Sequence, residues 1–169
     1  AFYGYLSSFD SDGIKLKAGS TNSNATNLDG TAYISWAFKA GGAPSGNGKK
    51  IVDGTESNLT SGTDYNTHIS SMTQSVNTAG DFSITKYTGS GANTTDHAWF
   101  KHGLSGTPDF VIVKSTTATY NWVCWHSGLD NGSSTTDDDY IQLNGSDQRG
   151  YYAGSDNNTV VWTTSGITS

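Results

Sequence analysis

The sequence predicts an all-β fold: an antiparallel β-sandwich, of which lectin-like and jelly-roll forms are examples, with long Gly/Ser/Thr/Asn loops. Three observations predict it. Hydrophobic residues make up 33% of the 169 and charged residues 14%, both low for an ordinary globular domain. Aromatic residues still reach 12%, whereas disordered chains are poor in them. Finally, short alternating segments recur about every 10 residues between Gly-, Asp- and Asn-rich turns, with no convincing long helix.

In chain order, residues 2–9 are aromatic-rich, and Asp10-Ser11-Asp12-Gly13 reads as a turn into Ile14-Lys15-Leu16-Lys17, where apolar and charged residues alternate. Residues 18–31 form a loop. Ala32–Lys39 reads as a strand with Ile34, Trp36 and Phe38 on one face. Residues 40–64 read as a linker or extended surface crossing, with a short strand and turn at Ile51-Val52-Asp53-Gly54. Ile69, Met72 and Val76 recur at helical spacing, so residues 65–79 allow a turn or two of helix, although β-branched and polar neighbours oppose it.

Phe82–Tyr87 alternates as a strand, and a Gly-rich loop at 88–95 leads to a short strand at Trp99-Phe100. The run Phe110-Val111-Ile112-Val113 has the length and composition of a strand buried on both faces. Tyr120–Trp125, Tyr140–Asn144 and Thr159–Thr163 complete the set. The core expected from this pattern is indole-rich, with Trp36, Trp122, Trp125 and Trp162 meeting Phe110 and Ile112 between two sheets, because each large ring can bury about 150–250 Å².

Composition also excludes some functions. The nine basic residues are scattered and the net charge is −6, so no stripe is available to neutralise nucleic-acid phosphates. No run of about 18 apolar residues could span a membrane, and no signal peptide is visible. A chain opening on Ala1 is expected to be a processed or excised piece of something longer. Cys124 is the single cysteine; in Trp122-Val123-Cys124-Trp125 it reads as a small buried hydrophobe, not a catalytic thiol.

The candidate chemistry is sparse. Exposed aromatic rings can stack on sugars, which makes Trp99, Tyr120, Tyr151 and Tyr152 the candidate ligand-binding residues, against a core or interface role. Asp137-Asp138-Asp139 is the best metal candidate, for Ca²⁺, because clustered carboxylates attract a hard cation; the alternative is a solvated loop. Asp10-Ser11-Asp12-Gly13 opens like a calcium loop but lacks its downstream ligands, and a hairpin turn is expected there. Asp96, His97 and His102 read as structural. Glu56 is the only glutamate, so a glycosidase pair is unsupported. Neither a serine elbow of the Gly-x-Ser-x-Gly type nor a phosphate-cradling loop is present. No catalysis is expected. Six Asn-x-Ser/Thr sequons follow from composition alone.

Several motifs occur in a specific order: Phe9-Asp10-Ser11-Asp12-Gly13-Ile14, Asp29–Gly42 with its Lys39-Ala40-Gly41-Gly42 ending, Phe82–Gly89, His102-Gly103-Leu104, Pro108–Lys114, Trp122–His126 and Tyr140–Asn144. This order resembles an uncharacterised β-rich repeat module of virion and tail-fibre proteins of marine tailed phages, over most of the chain except residues 43–79. The resemblance carries no catalytic residues. It implies a virion structural module, extracellular on the particle, that assembles with copies of itself (a trimer by analogy) and with other virion proteins, and attaches to a host surface glycan. The alternative is a carbohydrate-binding module of a secreted bacterial protein. It also implies that residues 1–42 end one repeat, 43–79 form a linker and 80–169 begin the next, an arrangement echoed weakly by Tyr151–Ile167 against Phe2–Gly19. A sandwich could then be completed across a repeat boundary.

Overall fold

The computed structural model describes residues 5–17, 30–91, 98–129, 139–145, 150–151, 161–162 and 167–168. It is all-β, as the sequence predicts, with mainly antiparallel sheets consistent with a sandwich. The chain divides into two units, Ala1–Phe38 and Lys39–Ser169.

In the first unit, β1 (Tyr5–Phe9) and β2 (Ile14–Lys17) form an antiparallel hairpin. Its turn is the expected Asp-Ser-Asp-Gly: the Asp10 N–H donates to the Gly13 carbonyl at 2.8 Å, and Lys15 pairs with the Asp10 carboxylate at 2.9 Å. That exposed pair contributes at most about 1 kcal/mol. Residues 31–38 form no strand, contrary to the expectation for 32–39. Ile34 and Phe38 are exposed, and Trp36 is 73% exposed. The alternating pattern is real, but a strand also needs a neighbouring backbone to pair with.

In the second unit, β3 (Lys49–Val52), β4 (Thr55–Asn58), β5 (Ile69–Asn77) and β6 (Phe82–Gly89) form a four-stranded sheet in the order β4-β3-β5-β6. Residues 43–79, expected to be a linker, therefore carry three strands. Asp53 and Gly54 both have positive φ, 48° and 86°, which gives the two-residue turn whose twist suits a hairpin and explains the Asp-Gly pair. The chain then crosses β3 through residues 59–68, so that β5 runs parallel to β3, and a second turn at 78–81 returns it as antiparallel β6.

Helix at 65–79 is corrected to strand. Pairing with β6 shifts between Ile69 and Ser71. This bulge inserts one residue and resets the alternation, so Ile69, Met72, Gln74 and Val76 share one face. The three-then-four spacing that looked helical is an interrupted period of two. On this face Leu59, Ile69 and Met72 are buried together, with Tyr65, Ala98 and Phe100 packed against them.

Both faces of β5 are covered. On one, the Gln74 amide donates to the Lys101 carbonyl at 2.7 Å and to the Thr85 hydroxyl at 2.9 Å, and a Cβ on Gly103, at φ +81°, would lie 2.7 Å from Val76 Cγ2. On the other, the Ser75 hydroxyl donates to the Gly42 carbonyl at 2.6 Å, and the Gly54 N–H to the Gly41 carbonyl at 2.8 Å. A Cβ on Gly41 would lie 1.8 Å from the Val76 carbonyl oxygen. Asp53 ties the two turns together, accepting from the Thr78 N–H at 2.8 Å and from the Thr78 hydroxyl.

The remaining strands are β7 (Trp99–Phe100), β8 (Phe110–Val113), β9 (Val123–His126), β10 (Asp139–Gln142), β11 (Gly150–Tyr151), β12 (Val161–Trp162) and β13 (Ile167–Thr168), with one 3₁₀ turn at Ser127–Leu129. They form two sheets, β11-β10-β9-β8 and β12-β13-β7. The indole-rich core is corrected here: Trp125 is buried, but Trp122 is 47% exposed, and the Trp162 side chain lies outside the described residues. Phe110-Val111-Ile112-Val113 is not buried on both faces either. Val111 and Val113 are half-buried, while Phe110 and Ile112 face outward at 50% and 43% exposure.

The close contacts around β5 generate a prediction. Gly41→Ala and Gly103→Ala force a methyl into occupied space and should each cost roughly 1–3 kcal/mol or more. Gly46→Ala, with open space around its Cβ, should be nearly neutral. Thermal unfolding checks this: the first two variants should melt several degrees lower, at about 2–4 °C per kcal/mol for a chain of this size.

Candidate functional site

The β9–β10 ladder continues past its named ends. The Leu143 N–H donates to the Trp122 carbonyl at 3.0 Å, and the Trp122 N–H donates to Asn144 Oδ1 at 2.8 Å. These bonds hold Trp122 beside Leu143 and Asn144. Asn121 Nδ2 donates to Gln142 Oε1 at 2.7 Å, and Asn144 Nδ2 donates to Asn121 Oδ1 at 3.1 Å. The Gly145 N–H closes a turn onto the Gln142 carbonyl at 3.1 Å. The result is three amides in fixed orientations.

Large apolar side chains neighbour these residues in sequence. Tyr120 is 74% exposed, and Trp122 and Leu143 are about half exposed. A carboxamide offers two donor hydrogens and two lone pairs, so the network bonds leave each amide at least one donor and one lone pair outside it. Residues 118–122 and 141–145 contain no charged side chain. Lys114, earlier in the same connection, donates its ammonium to the Ser115 and Ala118 carbonyls at 2.7 and 3.1 Å. These two segments carry mutually bonded amides and, next to them in sequence, exposed apolar side chains.

The structure separates the ligand candidates expected from sequence. Tyr120 is exposed and precedes Asn121 in the chain. Trp99 is half-buried in β7, its backbone paired with Thr168 and bonded both ways to Asn66, so it does not present a ring as Tyr120 does. Tyr151 pairs with Asp139 through the backbone; its side chain lies outside the described residues, as does Tyr152. Of the acidic run, Asp139 opens β10, and its side chain, with Asp137 and Asp138, lies outside the described residues. Among the described residues no group of three or more His, Cys, Asp or Glu could hold a metal. Trp122, Asn121, Gln142 and Asn144 were missed because Trp122 read as core. The available signal was the aromatic–amide alternation Tyr120-Asn121-Trp122, matched across the ladder by Gln142-Leu143-Asn144.

A family model described as a domain of unknown function, DUF7483, matches residues 2–169. The chain belongs to this family. No curated protein and no solved structure matches it. The match of this DUF7483 member runs through residues 43–79, which hold β3 to β5.

The titratable groups with resolved environments are engaged in holding the fold. Both Glu56 carboxylate oxygens accept from Ser45, from its N–H at 2.7 Å and its hydroxyl at 2.8 Å; these bonds hold the carboxyl below the usual range. The Cys124 side chain is fully buried, and burial pushes its thiol up, away from the thiolate that nucleophilic chemistry needs. The His102 ring is buried, and its Nδ1 accepts from the Leu104 N–H at 3.0 Å, closing the bend around Gly103. His126 Nδ1 likewise accepts from the Gly128 N–H at 2.8 Å.

Asp64 is the main buried charge. Desolvation raises its pKa, but the Lys50 ammonium at 2.9 Å, the Thr60 N–H at 2.8 Å and the charges of Lys50 and Lys101 outweigh it, so the carboxyl sits below the ordinary Asp value. A depressed folded pKa contributes stability above the unfolded pKa and loses it as pH falls through the folded one. The expected outcome is that stability drops between about pH 4 and pH 2 by an amount smaller in Asp64→Asn than in the unaltered chain. Asp64→Asn itself should cost about 1.5–3 kcal/mol at neutral pH, as loss of a charged hydrogen bond does. Urea unfolding at a series of pH values checks both.

Proposed function

We propose that the chain is a structural and adhesion module of a tailed-phage virion appendage, in a tail fibre or on the capsid surface. It is carried by one observation: an all-β chain keeps large apolar side chains outside its core, Ile34, Trp36 and Phe38 in the first unit and Phe110 and Ile112 in the second. Exposed large apolar side chains are sites a partner can cover, and a subunit built into a larger assembly covers them with its neighbours. The phage context comes from the motif order. Two of those motifs, Lys39–Gly42 and His102–Leu104, are the segments that pack on β5.

In this reading the chain assembles with copies of itself, as a trimer, and with other virion proteins. It meets host surface glycan through its loops and catalyses nothing. The exposed rings of Tyr120 and Trp122 favour a second reading, a carbohydrate-binding module of a secreted bacterial protein that would bind sugar as a monomer.

Sedimentation and particle labelling separate the two. The purified chain should sediment as a trimer without sugar, and gold-labelled antibody against it should decorate an appendage of intact particles. A monomer absent from particles would contradict the proposal. Degradation of a bacterial polysaccharide, stopped by an Asp→Asn change, would contradict its non-catalytic part.

A further inference from the structure

We infer that one face of the β4-β3-β5-β6 sheet, where it carries Asn58, Lys49, Thr73, Lys86, Ser71 and Thr88, binds an acidic oligosaccharide, one bearing carboxylate or sulfate groups. This deepens the adhesion part of the reading above and rests on it.

The strand register fixes which side chains share this face. Residues paired across neighbouring strands lie on the same side of a sheet, and residues two apart along a strand return to it. Lys49 pairs with Asn58 of β4 and Thr73 of β5, and Thr73 pairs with Lys86 of β6. The row Asn58-Lys49-Thr73-Lys86 therefore crosses all four strands on one side. Ser71 and Thr88 lie in the row beyond it, and Glu56, Ile51, Ser75 and Ile84 in the row on its other flank. The segment before β3 runs over that last row. The Gly42 carbonyl accepts from the Ser75 hydroxyl, a Cβ on Gly42 would lie 2.9 Å from Ile51 Cγ2, and Ser45 donates to Glu56. Beside this covered row, Asn58, Lys86 and Thr88 are exposed, and Lys49, Ser71 and Thr73 are half-buried.

Charge and hydroxyl content select the ligand. The chain is acidic, with a net charge of −6, yet the two open rows carry two lysines and no carboxylate. Lys50, which pairs with Gln74 on the opposite face, is neutralised by Asp64, and Lys15 by Asp10. Neither Lys49 nor Lys86 takes part in an ion pair among the described residues; the Lys49 ammonium donates to the neutral Asn58 amide at 2.6 Å. Glu56, in the covered row, has both carboxylate oxygens bonded to Ser45. Because β3 and β6 flank β5, the two lysine backbones stand about 9–10 Å apart, which suits an extended chain with acidic groups at intervals more than one compact ion. An ammonium binds carboxylate or sulfate through charge-assisted hydrogen bonds. The hydroxyls of Ser71, Thr73 and Thr88 both donate and accept, as the hydroxyls of a sugar require. The open rows hold no large apolar side chain, whereas the core of a protein–protein interface is rich in aromatic residues and poor in charge.

The test is calorimetric titration of the full chain with a heparin-derived hexasaccharide and with hexamannuronate. Cellohexaose serves as the neutral control and hexaglutamate stands for an acidic peptide. At least one acidic sugar should bind at low salt with a dissociation constant of about 1 mM or tighter, and more weakly as ionic strength rises. Lys49→Gln and Lys86→Gln should each weaken that binding about tenfold while melting close to the unaltered chain. Lys17→Gln, which removes a lysine from the other unit, should bind as before. The inference is overturned if neither acidic sugar binds, if cellohexaose or hexaglutamate binds as tightly, or if Lys17→Gln weakens binding as much as Lys86→Gln. It is overturned too if Lys49→Gln and Lys86→Gln bind normally. Particle labelling keeps the two readings apart. A chain found on particles without acidic-sugar binding sinks the site alone; binding that depends on Lys86 in a chain absent from particles sinks the appendage reading alone.

Discussion

Two glycine-containing segments close on opposite faces of β5, and the larger unit is organised by that contact. The backbone at Gly41 meets the Val76 carbonyl on one side, and Gly103 meets the Val76 side chain on the other. β5 is also paired along both edges, with β3 and with β6. A strand covered in all four directions leaves room for side chains only where they already sit. Val76 and Met72 are accordingly among the most completely buried side chains described, and each contributes about 1.5–3 kcal/mol through burial. The polar groups in this layer are satisfied locally: Gln74 reaches the Lys101 carbonyl, Ser75 the Gly42 carbonyl and Asp64 the Lys50 ammonium.

The interior of this unit rests on Leu59, Ile69 and Met72 with Tyr65 and Phe100 packed against them, and Trp125 is buried as well, while several other large apolar side chains stand at the surface. Tyr120 and Trp122 are exposed near the end of the β9–β10 ladder, and Phe110 and Ile112 face outward on β8. Glu56, Asp53 and Asp64 spend their oxygens on Ser45, Thr78, Lys50 and Thr60, and Cys124 is sealed inside.

Much of the local structure could be read from residue types. Asp53-Gly54 and Asp10-Ser11-Asp12-Gly13 specify turns, and both turn. Phe82–Tyr87 alternates, and lies within β6. Other features were illegible for identifiable reasons. The bulge beside Ser70 hid a period of two inside a helical spacing, because pattern reading assumes an uninterrupted ladder. The segment 31–38 alternates without being a strand, because a pattern records sidedness and not the presence of a partner. The indole-rich core failed because large apolar residues can stand at the surface as well as inside; Trp36 and Trp122 do. The amide network was not legible: the pairing of Asn121 with Gln142 and Asn144 is a tertiary fact carried by the β9–β10 register.

The central claim, that β5 clasped between the two glycine segments is the most stable part of the chain, is tested most directly by native-state hydrogen exchange. Amides of Thr73 to Val76 should exchange slowest, opening only with global unfolding, while those of β8 to β10 open earlier through sub-global fluctuations. Slowest exchange in β8 to β10, with the β5 amides exchanging as fast as loop amides, would contradict it.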